Sequence, residues 1–112
     1  MPVIDTLGKR QSDVIRYEEP TALYSRDTAT AGSAIALGQM LTIANGTATV
    51  TPAAGTPNAV AIYDAANGEK VTVLARHAIV NESGLVYPVG ATAEQKNAMN
   101  AAIAEVGILV RV

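Results

Sequence analysis

The chain contains no phenylalanine and no tryptophan, and only four tyrosines among its 112 residues. Its interior must therefore be filled by Ala, Val, Ile and Leu, which bury little area each, at about 25 cal/mol per Å². Apolar residues make up 49% of the chain, enough for the core of one small domain but not a generous one. No cysteine is present, which excludes a disulfide scaffold, a thiolate zinc site and a cysteine nucleophile. A small domain without staples gains most from self-association. The net charge of −2 argues against a binder whose affinity comes from neutralising phosphates, so no direct nucleic-acid partner is expected. No apolar run approaches the ~20 residues that span a membrane. No basic-then-apolar leader opens the sequence, so a soluble protein that stays where it is made is expected.

Half of the eighteen charged residues fall in positions 1–32, which divides the chain into an extended arm (1–32) and a body (33–112). The small residues Thr28 to Ser33 read as the linker between them. Within the arm, Asp13-Val14-Ile15-Arg16-Tyr17-Glu18 is β-prone and is closed by Pro20. Such a strand either adds to the sheet edge of another chain or folds back onto its own body.

The body reads as short strands joined by turns. Residues 39–43 and 47–51 flank Asn45-Gly46, the pair that suits a type I′ hairpin. Residues 59–63 and 70–76 are separated by a second such pair, Asn67-Gly68, and residues 78–81 and 85–87 form a third pair around Gly84. Thr92 and Gln95 make a capping box for a single helix, with Ala98, Met99, Ala102, Ile103 and Val106 on one face and Gly107 at its end. Residues 108–112 form a last strand. The predicted fold is mainly β with one helix.

Candidates for chemistry are few. His77 is the only histidine and has no second ligand at metal-binding spacing, so no metal is expected. Asp64 and Glu69 flank the second Asn-Gly as ordinary turn formers. Gly8-Lys9 lacks the partner glycine of a phosphate loop, since Val3 stands in its place, and Arg10 replaces the Ser or Thr. A binding role without cofactor is expected, and no enzymatic one.

Residues 59–112, from Ala-Val-Ala-Ile-Tyr-Asp through Leu-Val-Tyr-Pro to Val-Gly-Ile-Leu-Val-Arg-Val, resemble the head decoration proteins of lambda-type tailed phages. The hairpin at 39–51, preceded by Tyr24-Ser25-Arg26-Asp27, extends the likeness to most of the body. The chain departs from the family in a longer, more charged arm and in having no Trp or Phe. The resemblance implies a β-clip-like body and a homotrimer on the outer surface of the virion head. It also implies an N-terminal arm that adds a strand to the major capsid protein of the same phage. On that expectation Ile4, Leu7, Val14, Ile15, Arg16 and Tyr17 contact the capsid, and Leu85, Val86, Tyr87 and Pro88, with helix 92–105, form the trimer interface. Deleting residues 1–26 would then leave a folded trimer unable to bind heads. Two other classes remain: a trimeric fibre, tail or carbohydrate-binding module, and a small trimeric enzyme using Asp64, Glu69 or His77 between subunits.

Overall fold

The computed structural model describes residues 11–18, 25–53 and 55–112. Asn45 and Gly46 both take the left-handed conformation, with φ of 53° and 77°. That is the requirement of a two-residue type I′ turn, and it joins β3 (Met40–Ala44) to β4 (Thr47–Val50) in register from Leu41↔Val50 to Ala44↔Thr47. β5 (Ala59–Ala61) pairs with β3 on one side and with β6 (Lys70–Leu74) on the other. β2 (Arg26–Ala31) runs antiparallel along β6 from Arg26↔Leu74 to Thr30↔Lys70, then joins β4 in parallel through Thr30 and Ala31. The five strands close a barrel in the order β2-β4-β3-β5-β6.

The interior of that barrel explains the composition of its strands. A barrel diameter scales with strand number, so five strands leave little room inside. The interior holds Ala29, Ala31, Ala48, Ala59 and Ala61 with Leu41, Val71, Val73 and Ile35. The small-residue stretch read as a linker is therefore a barrel strand, with Ala29 and Ala31 turned inward. Nor does the structure break at residue 32, where the arm was expected to end.

A second sheet, in the order β1-β7-β8, contains β1 (Ile15–Glu18), β7 (Ala78–Asn81) and β8 (Ile108–Arg111). It shares a core with the helix α2 (Ala93–Ala104) and one wall of the barrel, filled by Val14, Met40, Ile62, Leu74, Met99, Ile103 and Ile108 among others. The helix begins at its expected capping box: the Thr92 hydroxyl accepts from the Gln95 N–H at 3.1 Å, and the Gln95 side chain accepts from the Thr92 N–H at 2.9 Å. Gly107, at φ 88°, follows its end. Met99 and Ile103 are buried and Ala98 is exposed, so the inward stripe is narrower than the sequence pattern predicts.

Two further expectations are corrected. Asn67-Gly68 does not close a tight hairpin: Gly68 alone has positive φ, and the wider loop turns back at Ala65 to bridge Ile35. The third pair does not form, because both edges of β7 are taken by β1 and β8. A 3-10 turn, Glu82–Gly84, follows β7 instead, and Val86 bridges Gln39. Gly84 is required there: a Cβ would stand 2.1 Å from the carbonyl oxygen of Asp13 in the one-turn helix α1 (Gln11–Val14).

Candidate functional site

The strand expected to add to another chain's sheet adds to its own. β1 pairs antiparallel with β7 through Ile15↔Val80, Tyr17↔Ile79 and Glu18↔Ala78. Val14, expected in the added strand, is fully buried in the sheet–helix core. A bulge between Ile15 and Tyr17 gives the strand one extra residue, so Arg16 and Tyr17 are both exposed. Ile4 and Leu7, like Gly8-Lys9, Pro20 and Tyr24, lie outside the described residues. A truncation after residue 26 would remove the buried Val14, the whole of β1 and the first residue of β2.

Charge and hydrogen bonding fasten β1 in place. Arg16 donates from Nε to Asn81 Oδ1 at 2.7 Å and from Nη2 to the Val112 carbonyl at 3.0 Å, joining β1 to β7 and to the end of β8. Arg26 grips Glu18 with two parallel bonds, Nε to Oε2 at 2.8 Å and Nη2 to Oε1 at 2.7 Å, and reaches Gln11 Oε1 at 3.3 Å. The guanidinium holds the Glu18 carboxyl below its ordinary value, chiefly through those hydrogen bonds. A second pair, Arg76 with Asp27, crosses from β2 to the corner after β6.

The outer face of this sheet carries a feature the sequence pattern did not reveal. β7 and β8 are parallel, with Ile79↔Leu109 and Asn81↔Arg111 in register. Together with Tyr17↔Ile79, this sets Tyr17, Ile79 and Leu109 side by side across all three strands. Their alternates Ala78, Val80 and Ile108 point into the core. Tyr17 and Leu109 are 51% and 38% exposed. The row lines a shallow groove of about 230 Å³ that continues past His77 and Gly107 into a larger one of about 640 Å³ beside Asp27, Arg76 and Glu105. β7 (AIVN) and β8 (ILVR) are apolar almost without a break, so periodicity could not say which side faces out; only the register does.

The residues expected at a trimer interface are used largely within the chain. Leu85, expected at a contact surface, is buried and belongs to the sheet–helix core. The Val86 N–H donates to the Gly38 carbonyl at 2.8 Å. The Tyr87 hydroxyl, paired with Asn100 Oδ1 at 2.7 Å, has its pKa raised by burial. Lys96 sits 5.5 Å from the centre of the Tyr87 ring. Pro88 is partly exposed and leads to Val89, which is wholly exposed.

The groups considered for catalysis serve separate turns. Asp64 Oδ1 accepts from the Leu37 N–H, and Glu69 Oε1 from the Ala66 N–H, each at 2.7 Å. His77 occupies a corner at φ 49°, its carbonyl accepting from the Ser25 hydroxyl at 2.9 Å. Among the described residues no group of three or more His, Asp or Glu is placed to hold a metal ion, and no helix is long and apolar enough to cross a membrane.

The described residues thus form a closed five-stranded barrel and a small three-stranded sheet with an exposed apolar row on its outer face. The sequence matches the family model for bacteriophage lambda head decoration protein D over residues 5–108. The chain therefore belongs to the lambda-type head decoration family, a structural component of the bacteriophage capsid. No curated protein matches it.

Proposed function

We propose that this chain binds the outside of the expanded phage head as a homotrimer, at three-fold and quasi-three-fold positions, and stabilises the shell against the pressure of packaged DNA. The family match over residues 5–108 carries this reading. Because Val14 to Glu18 are built into the fold, the capsid-binding arm contracts to residues 1–10, with Ile4 and Leu7 as its apolar anchors on the major capsid protein. A short added strand gives about six backbone hydrogen bonds, each worth about 0.5–1.5 kcal/mol net. Association and ordering of the arm cost about 4–15 kcal/mol, so one arm alone binds weakly. Three arms on a rigid body make the later contacts intramolecular and raise avidity by about 10²–10⁴. The three must fit together, so binding senses the spacing of the lattice as well as the capsid subunit.

Removal of residues 1–10 tests the assignment of the arm. The truncated protein is expected to keep the thermal midpoint and association state of the full chain and to lose co-sedimentation with expanded heads. Undiminished sedimentation would move the capsid contact onto the body.

A further inference from the structure

The two Asn-Gly pairs are alike in sequence and held differently by the fold. All four residues are exposed, and nothing lies within 4 Å of a Cβ built on either glycine, so crowding does not separate them. Hydrogen bonding does. Asn67-Gly68 sits in a turn closed twice: the Glu69 N–H donates to the Ala66 carbonyl at 3.0 Å, and the Ala66 N–H to Glu69 Oε1 at 2.7 Å. The Gly68 N–H itself donates to the Ala31 carbonyl of β2 at 2.7 Å. At the other pair, the Gly46 N–H and the Asn45 side-chain amide have no hydrogen-bond partner among the described residues.

Asparagine followed by glycine is thermolabile because the next backbone nitrogen reaches the side-chain amide carbon with no Cβ in the way. That nitrogen attacks after losing its proton to hydroxide, and a proton committed to a carbonyl is harder to remove. The new C–N bond closes a cyclic imide; the side-chain amide C–N bond breaks, and ammonia leaves with a proton taken from water. Water then opens the ring at either carbonyl. One product is aspartate. The other is isoaspartate, whose main chain runs through the side-chain methylene.

We infer that Asn45 is a site of spontaneous conversion to isoaspartate, reacting ahead of Asn67, and that the conversion strikes the seam that closes the barrel. The Asn45-Gly46 turn sets the β3–β4 register from Ala44↔Thr47 onward. It also supplies the Gly46 carbonyl that accepts from the Thr30 N–H at 2.9 Å, beside Thr30↔Thr47 and Ala31↔Ala48, the pairs by which β2 joins β4. A methylene added to the main chain lengthens a turn whose two residues both have positive φ. Gly46 is moved away from Thr30, and β4 loses alignment with both neighbours. Ordinary aspartate keeps the main chain and tolerates the left-handed conformation much as asparagine does, so it leaves the seam in place. The inference is independent of what the protein binds.

Peptide mapping by mass spectrometry of the full chain held at mildly alkaline pH, with isoaspartate detected by enzymatic methylation, tests this. In the folded protein Asn45 is expected to convert about two- to tenfold faster than Asn67. In denaturant, where the Gly68–Ala31 bond is gone, the two rates are expected to converge. Equal rates in the folded chain, a faster Asn67, or a ratio that denaturant leaves unchanged would overturn the inference. The isoaspartyl form, separated chromatographically, is expected to melt at least about 4 °C below the Asn45→Asp variant, which carries the same charge. An isoaspartyl form as stable as Asn45→Asp would overturn the placing of the damage at the barrel seam.

Discussion

The molecule has two cores built to opposite rules. Among the described residues, five of the nine buried apolar residues inside the barrel are alanine; between sheet, helix and barrel wall only Ala78 is, among eleven. The same chain, without Phe or Trp, fills a narrow tube with its smallest apolar side chains and a wider layer with Ile, Leu, Met and Val. Space and not hydrophobicity as such decides what each strand carries. A sequence stretch of Ala and Thr is thus either a linker or a barrel stave, and only its pairing distinguishes them.

Paired substitutions sharpen the contrast. Ile103→Ala opens a cavity in the sheet–helix core, where Ile103 is fully buried, and is expected to cost about 2–5 kcal/mol in chemical denaturation. Ala61→Leu in the barrel is expected to cost about 1–3 kcal/mol by overpacking. If enlarging Ala61 were neutral while truncating Ile103 remained costly, the barrel would have spare room and the account of its alanines would fail.

A smaller effect is expected where the two regions are clipped together by Glu18 and Arg26. Glu18→Gln should lower stability at pH 7 by less than about 1 kcal/mol, because the pair is near the surface. Since the carboxyl's folded-state pKa lies below its ordinary 4.5, the clip contributes fully above that value and is lost as pH falls through the folded-state value. The stability difference between wild type and Glu18→Gln, followed by thermal melting against pH, should therefore shrink on acidification. A difference that stayed constant would assign the effect to packing.

Much of this architecture was legible in local chemistry. Asn45-Gly46 announced its hairpin, Thr92 with Gln95 announced the helix, and the apolar run after Gly107 announced the last strand, because each signal acts within a few residues. The rest depends on contacts distant in the chain. β2 is defined by partners on β6 and β4, and β1 by partners sixty or more residues away. Gly84 is fixed by the backbone of Asp13, and the Tyr17–Ile79–Leu109 row exists only through register. The capsid family was readable from the order of elements, whereas the division between arm and body was not, since charge density does not mark where packing begins.

Co-sedimentation of the intact protein with expanded and unexpanded heads of its own phage is the most direct measurement of its role. Saturable binding to expanded heads alone is the expected result, because the arms must meet a particular lattice spacing at once. Equal binding to both forms, or binding to neither, would contradict a decoration protein that recognises the expanded shell.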